Sequence, residues 1–394
     1  MTPHSAPALP VASRLRGFGS SIFAEMTELA VRTGAINLGQ GFPDTDGPAA
    51  LLAAARAAID AGHNQYPPAN GVAELREAVA ADREIRYGTS YDPGGEVLIT
   101  TGATCAIAAA FLALCDAGDE VIAFDPCYDS YSASISMAGG LLRPVPLRAE
   151  GDRFAFDPDE LAAAITPRTR LLLLNTPHNP TGKVFTRAEL EVIAACCHEH
   201  DLIAITDEVH EHLVYDGRTA QSLAALPGMR DRTLAISGAG KTFSVTGWKV
   251  GWACGPRRLI RAVQTAHQFL TFNSGTPFQV ALAAALHDHG SWTTRLRQSL
   301  QEQRDLLADG LRGAGFAVYQ AEGTYFLQAD VRPWGYDDGV ALCRDLPERA
   351  GVVAIPSVVF YQGADPPRNL VRFAFCKRTT VLTRAVRALQ AAAG

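Results

Sequence analysis

Between about residues 95 and 255 short apolar runs alternate with helical patterns. The runs fall at 96–100, 121–125, 170–175, 202–207, 233–237 and 250–254. Each is rich in Val, Ile or Leu and lacks a period of two, as expected of strands buried on both faces. One intervening helix starts at Thr186, where Glu189 three residues on completes a capping box. Leu190, Ile193 and Ala194 form its apolar face. Strands alternating with helices predict an α/β fold built on a parallel sheet. From about residue 286 the pattern changes to a long amphipathic helix expected to stop at Gly313 or Gly315. Short strands and two further helical patterns follow. Three segments are therefore expected: 1–50, an N-terminal arm and part of a smaller domain; 51–285, a large domain; and 286–394, the rest of the smaller one.

Ligands in such sheets sit beyond the carboxyl ends of the strands, and each strand end carries candidate chemistry. In SGAGKTFSVTGWKVGW (237–252), Lys241 stands in a small-residue turn after a buried strand, where desolvation would free its amine to form a Schiff base. Lys249 can supply charge for a phosphate. In ITDEV (205–209), Asp207 ends an apolar strand, a costly place for an acid without a cationic partner such as a protonated pyridine nitrogen. NTPHNPTG (175–182) is a rigid turn presenting Asn179, and its X–Pro bonds are candidates for the cis form. TTGATC (100–105) runs from strand through a glycine turn into a helix, so that the backbone at Gly102, Ala103 and Thr104 makes a phosphate seat. In DPCYDSY (125–131), Tyr128 can lay its ring on a planar cofactor. Taken singly, each has a plain reading as a surface turn, a helix cap or a core ring.

Composition narrows the class. The 394 residues are 47% hydrophobic and 19% charged with a net charge of −6, which gives no footprint for nucleic acid or an anionic membrane. Neither a secretory leader in MTPHSAPALP nor a membrane-length apolar stretch is present, so a cytoplasmic protein is expected. Eight cysteines lack CxxC spacing and read as small buried hydrophobes; no metal site is expected. The 35 basic residues include only four lysines, Lys183, Lys241, Lys249 and Lys377. Where surface lysines have drifted to arginine, two retained within nine residues point to a need for amines.

Together these residues resemble fold-type I enzymes dependent on pyridoxal 5′-phosphate (PLP), the class I/II aminotransferases, and within them the kynurenine/glutamine and N-succinyldiaminopimelate aminotransferase branch. NLGQGFPD (37–44), NQYPPANG (64–71), HNPTG, ITDEV, GKTF, TGWKVGW, GTYF (323–326) and VRFAFCK (371–377) carry the likeness. It implies a large domain with a mostly parallel mixed sheet flanked by helices, plus a smaller α+β domain from the two chain ends. It implies that Lys241 bonds the cofactor and moves the substrate's proton, that Asp207 holds the pyridinium and that Asn179 meets the ring oxygen. Tyr128 would stack on the ring, while Ala103, Thr104, Ser237 and Lys249 would hold the phosphate. Arg372 beside Gly39 would grip the substrate carboxylate, with Phe23 and Tyr325 nearby. Tyr66 would reach the phosphate of a neighbouring subunit, which implies a homodimer with shared active sites.

Three positions depart from the family pattern. His210 replaces a Tyr that donates to the ring oxygen, Gly238 replaces a phosphate-binding Ser beside Ser237, and Cys105 stands where Glu or Gln is common. The activity implied is transfer of an amino group between an amino acid and a 2-oxo acid. No second arginine is evident for a side-chain carboxylate, which favours neutral, aromatic or sulfur-containing donors. The alternative is β/γ-elimination, replacement or C–C bond formation with the same cofactor.

Overall fold

The computed structural model describes residues 11–18 and 22–393; the expected leader-free decapeptide and part of the N-terminal arm lie outside them. In chain order the strands of the main sheet are β1 Val97–Thr100, β2 Glu120–Asp125, β3 Leu141–Glu150, β4 Arg153–Phe156, β5 Thr169–Asn175, β6 Ile203–Asp207, β7 Thr233–Gly238 and β8 Gly251–Cys254. Their order across the sheet is β1-β8-β7-β6-β5-β2-β3-β4. The central pairs β7/β6, β6/β5, β5/β2 and β2/β3 are parallel. Strand β8 runs antiparallel to both of its neighbours, and β4 is antiparallel to β3. The sheet is thus mixed rather than wholly parallel. The six apolar runs end within a residue of the observed strands. β3 has no such run because Arg, Pro and Glu interrupt it, and β4 offers only the three apolar residues 154–156, as suits strands toward a sheet edge.

Helices cover both faces. Among them are α1 Ala73–Tyr87, α2 Gly102–Leu114, α3 Asp129–Ala138 and α4 Arg187–Glu199. The Thr186 capping box is formed, with Thr186 Oγ1 accepting from Glu189 N and Glu189 Oε2 accepting from Thr186 N. Leu98, Val121, Leu171, Leu173, Ile205 and Ile236 pack with α2 on one face, while Ile122, Leu172, Leu174, Leu190 and Ile193 pack on the other. That is why the runs show no alternation.

Helix α5, Gly290–Gly313, leads away to a second sheet of β9 Ala317–Val318, β10 Phe326–Asp330, β11 Ile355–Pro356 and β12 Leu370–Ala374. Its order is β9-β10-β12-β11, all antiparallel. Its core takes Leu300, Leu307 and Leu311 from α5 and Met26 and Leu29 from the N-terminal helix Ile22–Thr33. Residues 36–37 pair with 352–353, so the two ends of the chain meet in this lobe. No helix among the described residues is long and apolar enough to cross a membrane.

Candidate active site

Strand register collects the site. Asn175 is level with Asp207, Asp207 with Ile236, and Gly238 with Gly251, which is also level with Thr100. Four strands of the main sheet therefore end beside one cavity of about 330 Å³, at the edge where β2 and β5 send the chain in opposite directions. Its far wall is Phe326 and Arg372 from the second sheet and Gln40 and Gly41 from the N-terminal segment.

Asp207 is 5% exposed. Its Oδ2 accepts from Tyr131 Oη at 2.5 Å and its Oδ1 from Val209 N at 3.2 Å. Burial pushes its pKa up, so the carboxylate is in want of a cation. Lys241 faces the same cavity from the turn after β7. Desolvation is the largest influence on it and holds the amine down at about 8. Lys241 Nζ donates to Gly41 O at 3.2 Å and to Tyr325 Oη, and the Tyr325 hydroxyl donates to Gly41 O at 2.5 Å.

Asn179 comes from the NTPHNPTG turn, in which Thr176–Pro177 and Asn179–Pro180 are both cis. Asn175 anchors that turn, donating to Asp207 O at 2.9 Å and accepting from Asn179 N at 2.7 Å. Arg372, level with Gln328 and Ile355 in the second sheet, donates to Asn179 Oδ1 at 3.0 Å and to Gly39 O at 3.1 Å. Phe326, Phe360 and Phe23 lie 3.9, 4.6 and 5.4 Å from its guanidinium carbon. This desolvation lowers its pKa to about 10. Arg372 Nε is buried without an acceptor among the described residues.

Gly102, Ala103, Thr104, Tyr128, Gly238 and Lys249 complete the opposite end. Gly102 has φ +77°, and a Cβ there would meet Lys249 Cε at 3.4 Å, so the lysine lies directly on the glycine turn that opens α2. His210 lines the cavity, is 2% exposed and makes edge contacts with Tyr325 and Phe326 at 5.2 and 6.3 Å. Neither of its ring nitrogens has a partner among the described residues. Burial and the charges of Lys241 and Arg372 keep the ring neutral.

Not every expected residue faces the cavity. Ser237 turns its hydroxyl to Glu211 Oε1 at 2.5 Å, into a buried network with Arg83, and leaves Gly238 on the wall. Tyr66 is 85% exposed and packs edge-on against Phe272. Tyr325 and Gly39 act from just behind the wall through the contacts above. Cys105 lies beside Thr271, at 3.9 Å. Residues missed from sequence include Tyr131 and Asn175, although both belong to the quoted motifs. Their signal was the pairing of polar side chains with buried strand ends. Lys183 and Lys377 are used structurally, on Glu189 Oε1 and Phe42 O.

The model of the aminotransferase class I and II family matches residues 33–389. The chain belongs to that family. A probable N-succinyldiaminopimelate aminotransferase of Mycobacterium tuberculosis is 52% identical over 385 residues, covering 96% of this chain and 97% of the relative. The methionine aminotransferase of Escherichia coli is 40% identical over 385 residues, covering 98% of each. Among solved structures, that of N-succinyldiaminopimelate aminotransferase from Mycobacterium tuberculosis superposes with a TM-score of 0.95 at 52% identity, covering 97% of this chain and 100% of the other. This aminotransferase therefore moves an amino group between an amino acid and a 2-oxo acid.

Proposed function

We propose that the cavity holds PLP and that Lys241 is the amine that bonds it. The carrying observation is the pairing of a desolvated amine with a buried carboxylate in one cavity. A flat anionic cofactor with a ring cation fits the donors and acceptors present. Asp207 would offer a carboxylate to a pyridinium, and His210 and Asn179 would supply donors for the ring oxygen. Lys249 and the backbone of Gly102 to Thr104 receive the phosphate. The 330 Å³ volume is of ordinary size for such a ligand. When bound, PLP supplies an aldehyde for the amine and a ring that withdraws electrons from the bonds of the substrate's α-carbon.

The chain's own residues do the rest. Asp207, supported by Tyr131, keeps the ring nitrogen protonated. Arg372 and Asn179 fix the substrate carboxylate in a preset fork. Lys241, once displaced, would be the base that takes the substrate's α-proton on Nζ and returns it to a carbon two bonds away. Tyr325 holds that amine in place while it is free.

The substrates we infer are amino acids with neutral, aromatic or sulfur-containing side chains. Lys241, Lys249 and Arg372 are the lysines and arginines that line the cavity, and each is already assigned above. Phe23, Tyr128 and Phe326 supply apolar wall. We also read 51–285 as the cofactor-binding domain with the chain ends as the smaller one. Tyr66, exposed beside Phe272, we read as reaching a second subunit in a homodimer.

Adding one amino acid at a time to the PLP-loaded protein tests this reading. Methionine or phenylalanine should convert the bound cofactor to its amine form, and aspartate should do so at least about tenfold less efficiently, the penalty of one unpaired charge. A Lys241→Ala protein should lack the imine absorption band. An intact band in that variant would overturn the assignment.

A further inference from the structure

Asp82, His212 and His289 each offer an atom within 4.8 Å of the others, a spacing that suits a metal ion. A cation already stands among them. Arg86 Nη2 lies 2.8 Å from His212 Nδ1, 3.1 Å from His289 Nε2 and 3.5 Å from Asp82 Oδ1. A guanidinium only donates, so His212 Nδ1 accepts and the ring's proton resides on Nε2. Burial and the charge of Arg86 keep this ring neutral. His212 is 5% exposed, and its Nε2 has no partner among the described residues. A buried donor left unpaired is costly, which directs attention to the space beside it.

His212 lines a cavity of about 110 Å³ away from the catalytic cleft, together with Arg86, Arg218, Arg297, Thr293 and Thr294. Arg86 Nε and Arg218 Nε are likewise buried without acceptors. Arg218 Nη2 pairs with Glu322 at 3.0 Å. Arg297 has neither an ion pair nor a hydrogen bond among the described residues. Glu211, the carboxylate on this wall, is committed to Tyr87, Arg83 and Ser237. The cavity therefore presents spare donors and positive charge without a spare carboxylate.

We propose that this cavity is a binding site for a small oxyanion, a phosphate or carboxylate group, held by His212 Nε2, Arg218 and Arg297. The volume equals about three or four waters at ~30 Å³ each, room for one such group and too little for a nucleotide. Arg86 belongs to α1, His212 and Arg218 to the segment that follows Asp207 and His210, and Arg297 to the second turn of α5. An occupant therefore ties the start of the helix that enters the second lobe to the segment carrying the catalytic-cavity residues.

The test is calorimetric titration of PLP-saturated protein with inorganic phosphate at constant ionic strength, repeated with acetate. Saturating PLP keeps phosphate out of the cofactor's own seat. Beside any anion taken by the Arg372 fork, one saturable site per chain that depends on Arg297 is expected, weakened at least about tenfold in Arg297→Gln and abolished in Arg297→Glu, as loss and reversal of a charge partner require. Arg297 is part-exposed and unpaired, so both variants should fold and keep their aminotransferase activity. Stronger binding of phosphate than of acetate would identify a phosphate ligand, and the reverse a carboxylate; either supports the site. No saturable binding of either anion at millimolar concentration overturns it, as does binding that both variants leave unchanged.

Discussion

Tyr131 donates a 2.5 Å hydrogen bond to Asp207, joining the third residue of α3 to the last residue of β6. The carboxylate needs this support because burial favours its neutral form. Tyr131→Phe removes one donor to a charged acceptor, worth roughly 1.5–3 kcal/mol. The expected result is a fall in kcat of about tenfold to a hundredfold with folding retained, checked by single-turnover kinetics beside a thermal melt. Asp207→Ala should be far worse, since the other carboxylate among the described residues lining the cavity, Asp129, comes from the start of α3 and not from that strand end.

The amine of Lys241 gives a pH signature. Its pKa in the folded, cofactor-free protein is about 8, against 10.5 for an ordinary lysine. The unfolded chain thus binds more protons between those values, and stability of the cofactor-free protein should rise as pH climbs from 8 toward 10.5. Below 8 the full penalty is present. The neutral amine also grows about tenfold per pH unit below 8, so the rate of cofactor capture should climb with pH and level off near 8 to 9. Stopped-flow absorbance across this range checks it; a plateau only above pH 10 would refute the lowered pKa.

His210 couples stability against function. Its two ring nitrogens are buried without partners among the described residues. His210→Phe removes both, so the cofactor-free protein should gain stability, by roughly 1–3 kcal/mol. The PLP-loaded protein should gain less or lose, because the donor toward the ring oxygen is gone. Melting both forms of wild type and variant separates the two effects. A His210→Tyr protein with unchanged spectrum, rates and products would show the imidazole to be a neutral replacement.

Behind the cavity, Arg83 is 1% exposed and pairs with Glu208 at 2.7 Å and Glu211 at 3.1 Å, with Ser222 at 2.9 Å. Removing one member leaves buried carboxylates uncompensated. Arg83→Ala should cost about 3–5 kcal/mol, read as a lowered urea midpoint. Because Glu211 also holds Ser237, one residue before Gly238, the variant should bind cofactor more weakly as well.

Much of the scaffold was legible because the apolar runs at 170–175 and 202–207 report burial on both faces, a local property of composition. The Thr186–Glu189 cap was legible for the same reason: its partners are three residues apart. Ser237 was harder. Its place at a strand end is visible in sequence, but which way its hydroxyl turns depends on Glu211, 26 residues distant, and on the Arg83 that shares it.

The sequence alone determined that a lysine, an acid, a rigid proline turn and a glycine turn each follow a buried strand, because strand ends and turns are written in neighbouring residues. Only the tertiary structure decided that β8 runs antiparallel, that Arg372 arrives from a second sheet onto Asn179, and that Arg86 fills the centre of the Asp82, His212 and His289 cluster. Arg372 and Asn179 are 193 positions apart, Arg86 and His212 126, and β8 takes its direction from β1 as well as from the nearby β7. It is the packing of whole elements, not local propensity, that brings such residues together.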